Sequence, residues 1–249
     1  MSPASTVTAR GRAGTCERGA SRRPVLHREP MGPRRPAPER PGAQEWLPRG
    51  RAASDVDALA RAARECHGCE LWADATQVVF SRGPERARLV LVGEQPGDRE
   101  DREGEPFVGP AGRLLEEEID AAGLSADDVY LTNAVKHFRF EERGKRRLHK
   151  SPDVAHVRAC LPWLTAEVAA VAPRVVVAMG ATAGRAVLGR PVRVTAERGR
   201  VLDVDDAPRV VLTTHPSALL RLRERAEREA AFAAFVDDLR LASDAAGVR

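Results

Sequence analysis

Apolar residues in this chain gather in four short, nearly unbroken runs, at 89–92, 129–135, 175–179 and 210–214. Runs of that length without polar alternation predict strands buried on both faces, as in a parallel sheet. Between them, apolar positions recur at three- and four-residue steps, the period of a helix with one buried face. The first such helix passes through Val56, Leu59 and Ala63 toward Cys66. A longer one spans residues 152–171 through Val154, Val157, Leu161, Leu164, Val168 and Val171. The last turns Phe232, Phe235, Val236 and Leu239 to one side. Ser151 is a suitable N-cap for the middle helix and Pro152 a suitable first residue, since its missing N–H has no helical partner there. Residues 191–205 read as a short hairpin, with 192–194 and Val201-Leu202 flanking Glu197-Arg198-Gly199. Short strands joined by helical crossovers predict an α/β fold, a three-layer α/β/α sandwich. Residues 1–47 are rich in Pro, Arg and Gly and have no apolar period. They predict a disordered segment ahead of one folded domain over 48–249.

Composition changes this picture in two places. The net charge of +4 is modest for 249 residues, yet all three lysines (Lys136, Lys145 and Lys150) fall within fifteen residues. Abundant arginine elsewhere is attributable to genomic base composition; the lysine cluster points to a surface that meets phosphates. There is no apolar leader, and no stretch approaches the ~20 residues needed to cross a bilayer. The expectation is a cytoplasmic monomer with no membrane partner. In that setting Cys66-His67-Gly68-Cys69 suggests metal or redox chemistry in preference to a disulfide. Cys16 and Cys160 are the other cysteines.

Three segments lie where a strand gives way to a loop, the edge at which open α/β sheets place ligands. Residues 93–112 read Gly-Glu-Gln-Pro-Gly-Asp-Arg-Glu-Asp-Arg-Glu-Gly-Glu-Pro-Phe-Val-Gly-Pro-Ala-Gly. They bring Glu94 and Gln95 to that edge, with Gly97 permitting close approach of backbone to a ligand. Phe107 offers an aromatic face, although its context suits ordinary core packing as well. Asn133 interrupts the second apolar run, where an amide is unfavourable in a strand and costly to bury alone. Its donor and acceptor faces are suited to reading the edge of a base. His215-Pro216-Ser217-Ala218-Leu219-Leu220-Arg221 follows the fourth run. Separately, residues 143–150, Arg-Gly-Lys-Arg-Arg-Leu-His-Lys, carry five formal positive charges and His149. By themselves they read as a solvated basic loop.

The segments at 93–112 and 215–221 closely resemble the two active-site motifs of the iron–sulfur uracil-DNA glycosylases, and the resemblance covers roughly residues 55–243. Gln95 together with Lys145-Arg146-Arg147-Leu148-His149 resembles one branch, UdgX, which bonds covalently to uracil-containing DNA; Leu148 stands where that branch usually has Ile. The resemblance implies a central sheet of four parallel strands. It implies that Gln95, Gly97 and Phe107 line a uracil pocket, with Phe107 stacked on the flipped base, and that Asn133 recognises uracil. His215 would donate to the uracil carbonyl as negative charge builds on the leaving base. Ser217, Leu219, Leu220 and Arg221 would meet the DNA where the nucleotide has flipped out. Lys145, Arg146, Arg147 and Lys150 would hold phosphates. His149 would capture the oxocarbenium-like sugar, with Glu94 orienting its ring.

Relatives hold a 4Fe-4S cluster on four cysteines in two pairs. Where the family has its third cysteine this chain reads Lys136-His137, so the resemblance assigns His137 with Cys66, Cys69 and Cys160; Cys16 lies about fifty residues upstream. Imidazole ligation of an iron–sulfur cluster has precedent, and from sequence alone zinc fits three Cys and one His equally. The implied function is DNA repair: recognition of uracil in single- or double-stranded DNA, cleavage of the N-glycosidic bond, and covalent capture of the abasic sugar by His149. The alternatives are a turnover glycosylase, in which Glu94 positions a water, and a metal-containing nucleic-acid binding module that no longer excises.

Overall fold

The structure is a computed structural model and describes residues 40–248. Cys16 and the first 39 residues of the segment expected to be disordered lie outside the described residues. Residues 40–47 do not follow that expectation. Gly42 N–H donates to the Gly68 carbonyl at 3.0 Å, Ala43 is buried, and Arg40 bridges Glu70 at 2.5 Å and Asp153 at 3.0 Å. A single buried alanine and one forked guanidinium anchor this stretch, a combination that composition does not reveal.

Two 3-10 turns, Ala43–Trp46 and Gly50–Ser54, lead into α1 (Val56–Ala63) and α2 (Leu71–Asp74). Then come β1 (Ser81–Arg82), β2 (Leu89–Gly93), α3 (Asp98–Glu103), α4 (Pro110–Ala121) and β3 (Val129–Asn133). The hairpin β4 (Phe140–Arg143) and β5 (Arg146–His149) follows, then α5 (Val154–Val171), β6 (Val175–Met179) and α6 (Gly180–Leu188). The chain closes with α7 (Val194–Glu197), β7 (Val201–Leu202), β8 (Arg209–Thr213), α8 (Pro216–Leu219) and α9 (Arg225–Ala246).

The main sheet has the order β1-β3-β2-β6-β8-β7. Its inner four strands are parallel, as expected, and two-residue antiparallel strands are added at each edge. Alternate residues of β2 feed two cores. Val90 and Val92 pack with Leu59 and Trp163, whereas Leu89 and Leu91 pack with Leu115, Phe235 and Leu239. The sheet is therefore covered on both faces, which is why its strands read as continuous apolar runs. Register brings Gly93 opposite Asn133 and Met179 opposite Thr213, so the carboxyl ends finish level. Side chains just beyond them converge on one edge.

Three local expectations change. The N-cap of α5 is Asp153, whose carboxylate accepts from the Ala155 and His156 N–H groups while His156 Nδ1 accepts from the Asp153 N–H. Pro152 thus precedes the helix. In residues 191–205 only β7 is a strand, pairing with β8. The expected first arm contributes to α7, because Glu197 reaches back to the Arg193 N–H at 2.7 Å and to Arg190 at 2.6 Å, closing a helical turn. The basic loop at 143–150 forms the turn and second strand of a hairpin, β4 pairing antiparallel with β5. Among the described residues no helix is long and apolar enough to cross a membrane.

Candidate active site

Asn133 and Phe107 close in on Gly93, the last residue of β2. A side chain there would begin 2.3 Å from Asn133 Oδ1 and 2.7 Å from the Phe107 ring, so only glycine lets the amide and the ring approach the end of the strand together. Asn133 is buried, and its Oδ1 has no hydrogen-bond partner among the described residues. An orphaned buried acceptor is costly unless a ligand donor reaches it. Phe107 is held at φ 59°, a left-handed conformation unusual for an aromatic residue. The neighbouring loop maintains it: Glu100 accepts from the Gly109 N–H at 2.9 Å, and Gly112 of α4 lies directly against the Phe107 backbone. Gly97 serves the same loop, since a Cβ there would strike the Glu100 carboxylate.

His215 follows β8 on the same edge. Its Nδ1 accepts from the Ser217 N–H at 3.1 Å and faces Ser217 Oγ at 2.9 Å. In the neutral ring the proton therefore sits on Nε2, which becomes a donor. Burial holds the imidazole well below its ordinary range, at about 4, partly offset by Glu94. The ring is thus a neutral donor at physiological pH. Ser217, expected at the DNA surface, is turned to His215. Leu219 is buried at 1% exposure and cannot act as a wedge; Leu220, at 50%, and Arg221 are the exposed members of that turn.

The hairpin brings His149 to this edge from the other side, its Nε2 at 3.7 Å from Glu94 Oε1. Two side chains hold the hairpin down. Gln95 Nε2 donates to the carbonyls of Arg139 and Lys150 at 3.1 and 3.3 Å, and its Oε1 accepts from the Arg139 N–H at 3.2 Å. Gln95 therefore does not present its amide to the pocket, as expected from sequence, but clips the base of the hairpin. Arg147 likewise departs from its expected phosphate role. Its guanidinium binds Asp98 at 2.6 Å and Asp101 at 2.7 Å and lies over the Phe138 and Phe140 rings. Lys145, Arg146 and Lys150 stay exposed. Sequence reasoning missed Gly93, Asp98, Asp101 and the clamping roles of Gln95 and Arg147. A glycine closing a buried strand was the one available signal.

Cys66, Cys69, Cys160 and His137 line a single cavity together with Gly68, Lys136, Ala159 and Trp163. All four donors are buried. Trp163 Nε1–H points at Cys66 Sγ at 3.2 Å and the Lys136 N–H at Cys160 Sγ at 3.3 Å, donors that suit metal-bound thiolates. Burial pushes the thiols of Cys69 and Cys160 up, to about 11 and about 12, and the His137 imidazole down, to about 4. Among the described residues no three His, Cys, Asp or Glu side chains converge closely enough to grip one metal ion. The donors stand around a cavity instead.

A protein with this fold, with polar groups gathered at the carboxyl ends of β2, β3 and β8, falls within a known class. Residues 80–240 match the family model described as the uracil DNA glycosylase superfamily, and the chain belongs to that family. It is 37% identical over 169 residues to the Type-4 uracil-DNA glycosylase of Thermotoga maritima, covering 68% of this chain and 84% of that protein. It is 32% identical over 184 residues to the Type-4 uracil-DNA glycosylase of Archaeoglobus fulgidus, covering 70% and 89%. The Type-5 uracil-DNA glycosylase of Pyrobaculum aerophilum is 33% identical over 167 residues, covering 60% and 70%.

Proposed function

We propose that this protein is a uracil-DNA glycosylase of DNA repair that becomes covalently attached, through His149, to the abasic sugar it creates. The base-recognition half rests on the orphaned Asn133 Oδ1 beside the Phe107 ring. Uracil offers an N3–H donor to that oxygen, where cytosine offers only an acceptor. Phe107 supplies a stacking face, worth ~1–3 kcal/mol per base. As the C1′–N1 bond breaks, its electron pair leaves with the base, and the Nε2–H of neutral His215 stabilises the charge collecting on the carbonyl oxygen. The exposed Leu220 and Arg221 occupy the gap left in the DNA.

The capture half rests on one observation, His149 Nε2 at 3.7 Å from Glu94 Oε1. One ring nitrogen attacks C1′ with its lone pair, forming the N–C1′ bond. The proton on the other nitrogen is then shared with, or passed to, the Glu94 carboxylate, and the departing uracil anion takes a proton from solvent. The hairpin that carries His149, clipped by Gln95, supports the UdgX-type reading within the family. A gel that resists heat and detergent tests it: wild-type protein with uracil-containing DNA should give a shifted covalent band, and thymine- or cytosine-only DNA should not. Uracil release with no band would leave the turnover reading, with Glu94 holding a water. No release and no band would leave a binding module.

We assign a 4Fe-4S cluster to Cys66, Cys69, Cys160 and His137, supported by the four buried donors lining one cavity and by the N–H groups of Trp163 and Lys136 directed at two of the thiols. When bound, such a cluster supplies a rigid cross-link between the 66–69 turn, the segment after β3 and α5. Purified protein should contain iron and absorb visible light; stoichiometric zinc without iron would overturn the assignment.

A further inference from the structure

The Glu94 carboxylate has two oxygens and a different neighbour at each. Oε1 faces His149 Nε2 at 3.7 Å, while Oε2 accepts from Thr182 Oγ1 at 2.5 Å. Thr182 lies in the first turn of α6, and neither half of the reaction above uses it. Because β6 lies between β2 and β8 in the sheet, the turn leaving β6 passes between the segments that carry Glu94 and His215. Gly180 makes the passage possible. It sits at φ +90°, and a Cβ there would come 3.3 Å from the His215 Cβ. The hydroxyl is therefore delivered to Glu94 by the regular end of a strand buried within the main sheet.

A hydroxyl has a particular advantage at this position. An arginine or lysine would orient the carboxylate but neutralise it, weakening its pull on an imidazole that is becoming cationic. A threonine hydroxyl fixes one oxygen by a charge-assisted hydrogen bond and leaves the net charge unchanged. We propose that Thr182 is a positioning residue for covalent capture: it fixes the plane of the Glu94 carboxylate so that Oε1 stays turned to His149. The chain Thr182–Glu94–His149 thereby extends from the main sheet to the hairpin, coupling the rigid element to the appended one. This inference rests on the reading that Glu94 serves His149.

The test uses the full chain and a uracil-containing oligonucleotide under single-turnover conditions, with total uracil release and covalent adduct measured separately. Thr182→Val keeps the side-chain shape and removes the hydroxyl. Losing one hydrogen bond to a charged group should slow adduct formation roughly ten- to a hundredfold. A larger share of cleaved DNA should then appear as unattached abasic product, with the half-saturating DNA concentration unchanged. Thr182→Ser should restore both the rate and the partition. If Thr182→Val is unfolded at the assay temperature, Thr182→Ala provides the same deletion with the same expected split. Wild-type rate and partition in the hydroxyl-less variant would overturn the proposal, as would equal impairment of the Val and Ser variants. A wild-type protein that releases uracil without any adduct would instead remove the capture reading itself, and Thr182's role with it.

Discussion

The two sides of the candidate site have different supports. Asn133 and the segment carrying His215 end β3 and β8, each paired with a neighbour on both sides in the main sheet. His149 ends a two-stranded hairpin that no strand of that sheet touches by backbone pairing, and side chains secure it. A sheet interior gives way only when the fold does, whereas side-chain ties can be cut singly. Under the proposed function, recognising a base and reacting with a sugar therefore depend on separable supports. In the proposed reaction the first can survive the loss of the second.

The largest expected effect removes the hairpin's chemistry altogether. His149→Ala should abolish the covalent band while uracil continues to be released, because water can reach the cationic sugar; an undiminished band would end the comparison. Next is Asn133→Ala, on the sheet side. It deletes both base-edge bonds, each worth ~1–3 kcal/mol, and should lower uracil release by roughly a hundredfold or more, with the residual product still captured. Equal loss of selectivity and capture there would show that the two sides are not separable. The pH dependence of His215 comes third. Its folded value, about 4, lies below the ordinary ~6.5, so the unfolded chain binds more protons between those limits. Stability should fall as pH drops through that window, by at most about 1.4 kcal/mol per unit from this group. Urea denaturation of His215→Asn should show a shallower slope.

Gln95→Ala is expected to matter less, because Arg147 still holds the hairpin. Adduct formation should slow about tenfold, and uracil release should change little. The smallest effect belongs to the exposed cations. Lys145→Gln and Arg146→Gln should each weaken DNA binding a few-fold, whatever the sequence, and reduce the slope of log affinity against log salt by about one. Arg147→Gln should behave differently, costing adduct formation through loss of the hairpin anchor.

The same contrast explains what the sequence disclosed. The parallel strands were legible because both faces are covered, which forces apolar residues into every position from Leu89 to Val92. The hairpin was not, because its residues are largely exposed and no apolar period marks either face. Arg146 and Arg147 are identical letters in a row. Only the acidic turn of α3, some fifty residues earlier, makes Arg147 a clamp, while Arg146 has no ion pair among the described residues. Gln95 was found but given the wrong partner, since an amide at a strand end can turn either toward a ligand or toward a neighbouring loop. The capping difference at Ser151 and Asp153 was likewise undecidable from composition, as both residue types make good caps.

Gly93 carries a consequence for how such an activity can be lost. Asn133 Oδ1 and the Phe107 ring approach the backbone there within the space a side chain would take. One methyl group would push both aside while leaving His149, Glu94, His215 and the exposed cations untouched. Under the proposed function, the altered protein would keep its basic surface at Lys145, Arg146 and Lys150 and lose the alignment of amide and ring that reads the base. Silencing by displacement of this kind changes only the opening glycine of the 93–112 segment, so a chain could keep every polar and aromatic residue of the site and be inert.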